Sequence, residues 1–203
     1  MNWLHYAALS RLTLPQVKAM VLLVIGVLLW AGAHLFKRIA PTMRAGLGNL
    51  GKGLVAVLLL ASIALMVLGY QQWPLTTTNM FWGRHPATAG INNLLVLLAF
   101  YLMVASVLKP RVTGIIRHPQ LTAVKAWALG HLLVNGDIPS LVLFGGLLAW
   151  AVVEVILINK QDGKPPLQVE SSLVKEAGTV VVTAIVFGGV AHLHAMWGYP
   201  VFG

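Results

Sequence analysis

Apolar runs of membrane-spanning length recur along this chain. Six can be read, at 17–36, 53–70, 90–108, 119–134, 138–158 and 177–198, separated by short stretches that hold most of the basic residues. A helix needs about 20 consecutive apolar residues to cross the hydrocarbon of a bilayer. The pattern therefore predicts an all-α fold, a polytopic transmembrane helical bundle of about six spans. The fourth run is short and is interrupted by Lys125 and His131. That composition suits a helix that is tilted or shielded on all sides by others. Between the fourth and fifth runs stands Asn135-Gly136-Asp137-Ile138-Pro139. Asn-Gly offers a left-handed turn and Pro139 suits the first turn of a following helix. Runs four and five should form an antiparallel hairpin. Residues 1–16 read as an N-terminal extension and 17–203 as one transmembrane domain. The apolar run from Met20 is a second possible start, which an intact mass including residues 1–19 would exclude.

Composition sharpens this picture. Of 203 residues, 58% are hydrophobic and 9% are charged, against about 25% charged in an ordinary soluble domain. The net charge of +9 would suggest nucleic acid on a soluble protein. Here the basic residues lie between spans, with no basic helix outside them, so the expected partner is the lipid bilayer and not nucleic acid. The loops after runs one, three and five carry ten Lys or Arg: Lys37, Arg38, Arg44, Lys52, Lys109, Arg111, Arg117, Lys160, Lys164 and Lys175. The opposite side carries three: Arg11, Lys18 and Arg84. The positive-inside rule then places those loops in the cytoplasm and both termini outside.

Trp3, Trp73, Trp82, Trp197, Tyr70 and Tyr199 fall near the ends of spans and read as interfacial anchors. Gly26, Gly32, Gly145, Gly146, Gly188 and Gly189 lie within spans and read as sites of close helix approach. Pro165-Pro166 is a helix stop. No repeat stands out, although Arg-His-Pro occurs at 84–86 and again at 117–119.

The candidate chemistry is histidine. The absence of cysteine excludes disulfides, thiolate metal sites and cysteine-bound haem. His5 and His85 lie outside the spans. His34, His118, His131, His192 and His194 lie in or beside them. Each needs a hydrogen-bond partner in a medium without water. One partner makes such a histidine a tolerable structural residue. Two facing neutral imidazoles would hold a b-type haem without covalent attachment. His118 and Lys125, seven apart, share a helix face from which His131 points away. By depth alone His34 pairs with His118, and His131 with His192 or His194. Lys125 could meet a carboxylate, phosphate or haem propionate, or pair with Glu154. Asp137 reads as a turn residue that caps the next helix. No hydrolase triad, phosphate loop or zinc-protease motif is present.

Arg117-His118-Pro119, Lys125-x-Trp127-Ala128-Leu129-x-His131-Leu132-Leu133-x-Asn135-Gly136-Asp137 and Leu143-Phe144-Gly145-Gly146-x-x-Ala149-Trp150 together resemble the NnrU family. Gly32-Ala33-His34-Leu35, Lys52-Gly53-Leu54, Gly69-Tyr70 and Leu193-His194-Ala195 extend the resemblance through nearly the whole chain. That family is similar to 15-cis-zeta-carotene isomerase, a membrane enzyme with b-type haem. The resemblance implies that His34 and His131 ligate haem b, with His118 and Lys125 positioning a propionate or other anion. It also implies a role in nitric oxide and nitrite metabolism beside other membrane redox proteins. Where the isomerase has a cysteine three positions before its second histidine, this chain has Ala128. Three other functions fit less of the pattern: a cis-carotenoid isomerase, an isoprenylcysteine-type methyltransferase suggested by Arg-His-Pro, and a haem-free assembly partner.

Overall fold

A computed structural model describes residues 14–73, 80–163 and 170–202. Trp3, His5, Arg11, Lys164 and Pro165-Pro166 lie outside the described residues, as does most of the expected N-terminal extension. All six apolar runs are helical. Among the described residues seven α-helices follow in order: α1 (Leu14–Ile39), the short α2 (Pro41–Gly46), α3 (Gly48–Gln71), α4 (Pro86–Leu108), α5 (Pro119–Val134), α6 (Ile138–Gln161) and α7 (Leu173–Met196). Helices satisfy their backbone groups internally, which is what hydrocarbon demands. Five of them, α1, α3, α4, α6 and α7, are long and apolar enough to cross a membrane. Helix α5, the interrupted fourth run, has 16 residues and reaches about 24 Å at 1.5 Å per residue.

The chain divides into two compact units. One holds the residues up to Arg84 with Val134–Trp150; the other holds His85–Leu133 with Ala151–Gly203.

In the first unit, α1 and α3 pack as an antiparallel pair. The residue before Pro41 cannot stay helical, and Ala40 leaves the helix at φ −130°, ψ 64°. Helix α2 and the left-handed Gly48 (φ +51°) then reverse the chain into α3. The contact is made by small residues. A Cβ on Gly26 would lie 2.8 Å from the Met66 backbone N, and one on Gly69 would lie 2.5 Å from the Leu23 N. The buried residues Ala19, Leu23 and Gly26 on α1 face Ser62, Met66 and Gly69 on α3, while Val27 lies against Gly146. Both sets recur at helical spacing. Ser62 satisfies its hydroxyl within its own helix by donating to Leu59 O at 2.7 Å.

The first unit also contains an element that the apolar pattern does not reveal. β1 (Met80–Trp82) pairs antiparallel with β2 (Gly136–Asp137). Gly136 is therefore not the left-handed turn residue expected of Asn-Gly. Its bare Cα is needed because a Cβ there would sit 2.4 Å from the Trp82 ring.

In the second unit α4 begins at Pro86. The Thr88 hydroxyl accepts from His85 N at 3.2 Å, and Lys109 ends the helix in the left-handed conformation (φ 58°). Ala99 and Leu102 of α4 pack with Ala123 and Ala126 of α5 as a small-residue core, flanked by Tyr101, Val112, Ile116 and Trp127. Phe100 meets Phe187 of α7 edge to face. The start of α5 lies beside the end of α6, where His118 meets Asn159. That contact makes α5 and α6 the antiparallel hairpin expected of the turn between them.

Not every aromatic or glycine plays the expected part. Trp73 is only 3% exposed, so it is a packed residue and not an interfacial anchor. Tyr70 is half-buried and hydrogen-bonded to Ser140 Oγ at 2.8 Å. Trp82, Trp197 and Tyr199 are exposed, as anchors are. Gly26 and Gly146 face close neighbours, whereas Gly32, Gly145, Gly188 and Gly189 face open space. Small size alone does not tell a packing face from a lipid face.

Candidate functional site: histidines with a locked tautomer

His34 stands near the end of α1, His131 near the end of α5 and His194 near the end of α7. All three make the same bond. Nδ1 donates to the carbonyl oxygen four residues earlier: Trp30 for His34 at 3.0 Å, Trp127 for His131 at 2.9 Å, Val190 for His194 at 3.0 Å. A carbonyl oxygen can only accept, so the hydrogen is on Nδ1. A neutral ring then carries its lone pair on Nε2, the form in which imidazole ligates iron or accepts a proton. All three are partly buried.

His34 and His131 share more than this bond. Each follows a tryptophan by four positions in Trp-Ala-x-small-His: Trp30-Ala31-Gly32-Ala33-His34 and Trp127-Ala128-Leu129-Gly130-His131. In each the tryptophan supplies the accepting carbonyl and lays its ring against the imidazole. Ring centroids are 4.4 Å apart at 41° for His34 and 5.0 Å at 49° for His131. One repeat lies in each compact unit. This pairing of tryptophan and histidine is legible in the sequence as a repeated five-residue string, unlike the two Arg-His-Pro triplets, whose flanks differ.

Around His34 the first unit adds Trp150 of α6, whose ring lies 4.6 Å from the imidazole and 5.5 Å, edge to face, from Trp30. Around His131 the second unit places Gly130 against Asn92 of α4; a Cβ there would be 2.9 Å from Asn92 Oδ1. Asn92 donates to Asn93 Oδ1 at 3.2 Å, and Asn93 donates to Val201 O at 3.1 Å. His194 lies within electrostatic reach of His131.

The other expected site residues are placed differently. His118 Nε2 donates to Asn159 Oδ1 at 3.0 Å, which leaves only its Nδ1 for another group. Lys125 is half-buried on α5. Ala128, where the isomerase has cysteine, is fully buried and supplies no ligand atom. His192 and His85 are exposed. Asp137, 2% exposed, caps α6 as expected, accepting from Ser140 N at 2.8 Å. Its second oxygen accepts from Ser140 Oγ at 2.9 Å, and Tyr70 completes the chain. Among the described residues no group of three or more His, Cys, Asp or Glu could hold a metal ion. Any metal held by histidine here would need further ligands from elsewhere, as a porphyrin provides.

Apolar helices of spanning length and a lipid-facing surface of Leu, Val and Ile make this an integral, multi-pass membrane protein. Among the described residues the buried polar side chains are Ser62, Thr113, Asp137, Ser140, Glu154, Thr179 and Thr183. The chain belongs to the NnrU family: the family model described as NnrU protein matches residues 22–201. No curated protein and no solved structure matches it.

Proposed function

We propose that this protein binds b-type haem through Nε2 of His34 and His131 and supports nitrogen-oxide redox metabolism in a bacterial inner membrane. The observation that carries the proposal is the repeated Trp-Ala-x-small-His unit. It gives both imidazoles the same tautomer, a tryptophan carbonyl one turn back as acceptor, and a tilted indole ring against the imidazole. A metal-bound histidine ordinarily donates its other ring nitrogen to a carbonyl or carboxylate, which fixes its orientation and raises its basicity. His194 shares the hydrogen bond but has Val190 in place of the tryptophan.

The donor set fits the group. Cysteine is absent, so attachment would be non-covalent. When bound, haem supplies an iron that cycles between two oxidation states. The protein's own part is to present two neutral imidazoles, exclude water with apolar side chains and set the polarity around the iron. The link to nitrogen oxides rests on the resemblance to the NnrU family. Both termini are assigned to the periplasm on the distribution of Lys and Arg. Lys125 on α5 is the candidate for holding an anion, and His118, immediately before that helix, would join it with Nδ1 as a donor only when both ring nitrogens are protonated.

Visible spectra of the detergent-purified protein, oxidised and reduced, test the proposal. The wild type should show a b-type spectrum, lost or altered in His34→Ala and in His131→Ala and retained in His194→Ala. A colourless, well-folded wild type from haem-replete cells refutes haem binding. Loss in His194→Ala with retention in His34→Ala would move the ligand pair into the second unit.

A further inference from the structure

The cluster of Trp30, His34 and Trp150 holds two donors that no other described residue uses. Among the described residues, Nε1 of Trp30 and Nε1 of Trp150 are both shielded from solvent and have no acceptor. Trp150 is only 6% exposed. An indole N–H can only donate, so burial without an acceptor is a standing cost that nothing among the described residues offsets. The two indoles meet edge to face, at 86°. In that arrangement only one edge points at the other ring, so a contact between N–H and π face could satisfy at most one of them. Both indole rings flank an imidazole whose Nδ1 is committed to Trp30 O and whose Nε2 carries the lone pair that a ligand would take. One ligand atom for His34 and two donors thus gather at one place, on α1 and α6 of the first unit.

We infer that Trp30 and Trp150 donate to a carboxylate of the group that His34 ligates. This rests on the haem reading of His34. A b-type haem is apolar apart from its iron and its two carboxylates, so those carboxylates hold its only acceptor oxygens. In a membrane interior an ionised carboxylate needs donors as much as a buried donor needs an acceptor. The indoles and the carboxylate solve each other's problem, and Trp150 becomes a positioning residue for the cofactor through its N–H as well as its ring.

The test uses the full chain purified in detergent from haem-depleted cells. It is titrated with iron protoporphyrin IX and, separately, with its dimethyl ester, whose oxygens are uncharged. Soret absorbance and quenching of tryptophan fluorescence give the two affinities. The wild type should prefer the free acid by at least tenfold, and Trp30→Phe/Trp150→Phe should bring the ratio close to one while keeping an aromatic ring at each place. If the double variant does not fold, Trp150→Phe alone should reduce the preference by about threefold. A wild type that binds both haems equally, or a preference unchanged in the variants, overturns the inference and leaves His34 ligation standing. Binding of both haems that is indifferent to His34→Ala overturns the haem reading of His34, and the inference with it.

Discussion

Gly69→Ala should separate α1 from α3 and destabilise the first unit. The added Cβ would lie 2.5 Å from Leu23 N, 2.8 Å from Ala19 O and 2.9 Å from Leu23 Cα. All three are backbone atoms, which no side-chain rotation can move away. Ordinary contact for a Cβ begins at 3.4 Å, so the helices must part by close to 1 Å along this stretch. A gap of 0.5–1 Å forfeits about a quarter to a half of the dispersion energy between the atoms on either side. Leu23 and Ala19, now fully buried, would bear that loss. Overpacking of this kind costs about 1–3 kcal/mol, or a fall in Tm of about 2–4 °C per kcal/mol for a chain of this size. The assay is thermal unfolding in a mild detergent, with Gly53→Ala as control, because a Cβ at Gly53 meets nothing within 4 Å. Gly26→Ala should act in the same way, since its Cβ would meet Met66 N at 2.8 Å. The two changes force the same separation, so together they should cost less than their sum. A Gly69→Ala protein that unfolds with the wild type, or a double variant whose losses simply add, would refute the close-contact account.

Three further outcomes follow from other contacts. Gly136→Ala should break the β1–β2 pairing, because its Cβ would overlap the Trp82 ring; a lower Tm together with altered Trp82 fluorescence checks this. Asp137→Ala removes both the cap on Ser140 N and the partner of Ser140 Oγ, and should cost about 1–2 kcal/mol. Asp137→Asn, which keeps an accepting oxygen, should cost less in the same melt. A double-mutant cycle of His118→Ala with Asn159→Ala should give a coupling of about 0.5–1.5 kcal/mol, and a coupling of zero would remove the bond that closes the α5–α6 hairpin.

Hydrophobic periodicity by itself determined the class of this protein, the number of apolar helices and their limits to within a few residues. The hydrocarbon core admits little besides helices, so a run of Leu, Val and Ile has one structural outcome. Local chemistry determined the place of Pro139 in the first turn of α6 and the Asp137 cap, because both act over a few neighbouring residues, but not the conformation of Gly136, which pairs with a distant strand. The locked tautomers of His34 and His131 were also within reach of the sequence, since the acceptor lies one helical turn away. Only the tertiary structure decided which glycines pack against a neighbour and which face open space. Gly26 and Gly188 look alike in a run of apolar residues, and what separates them is another helix, not a neighbour in sequence. The same holds for Gly136, whose partner Trp82 lies more than fifty residues away, and for Trp150, brought against His34 from a helix more than a hundred residues further along. Polar satisfaction is non-local in a bilayer, so the unused donors beside His34 became visible only once the surrounding chain was in place.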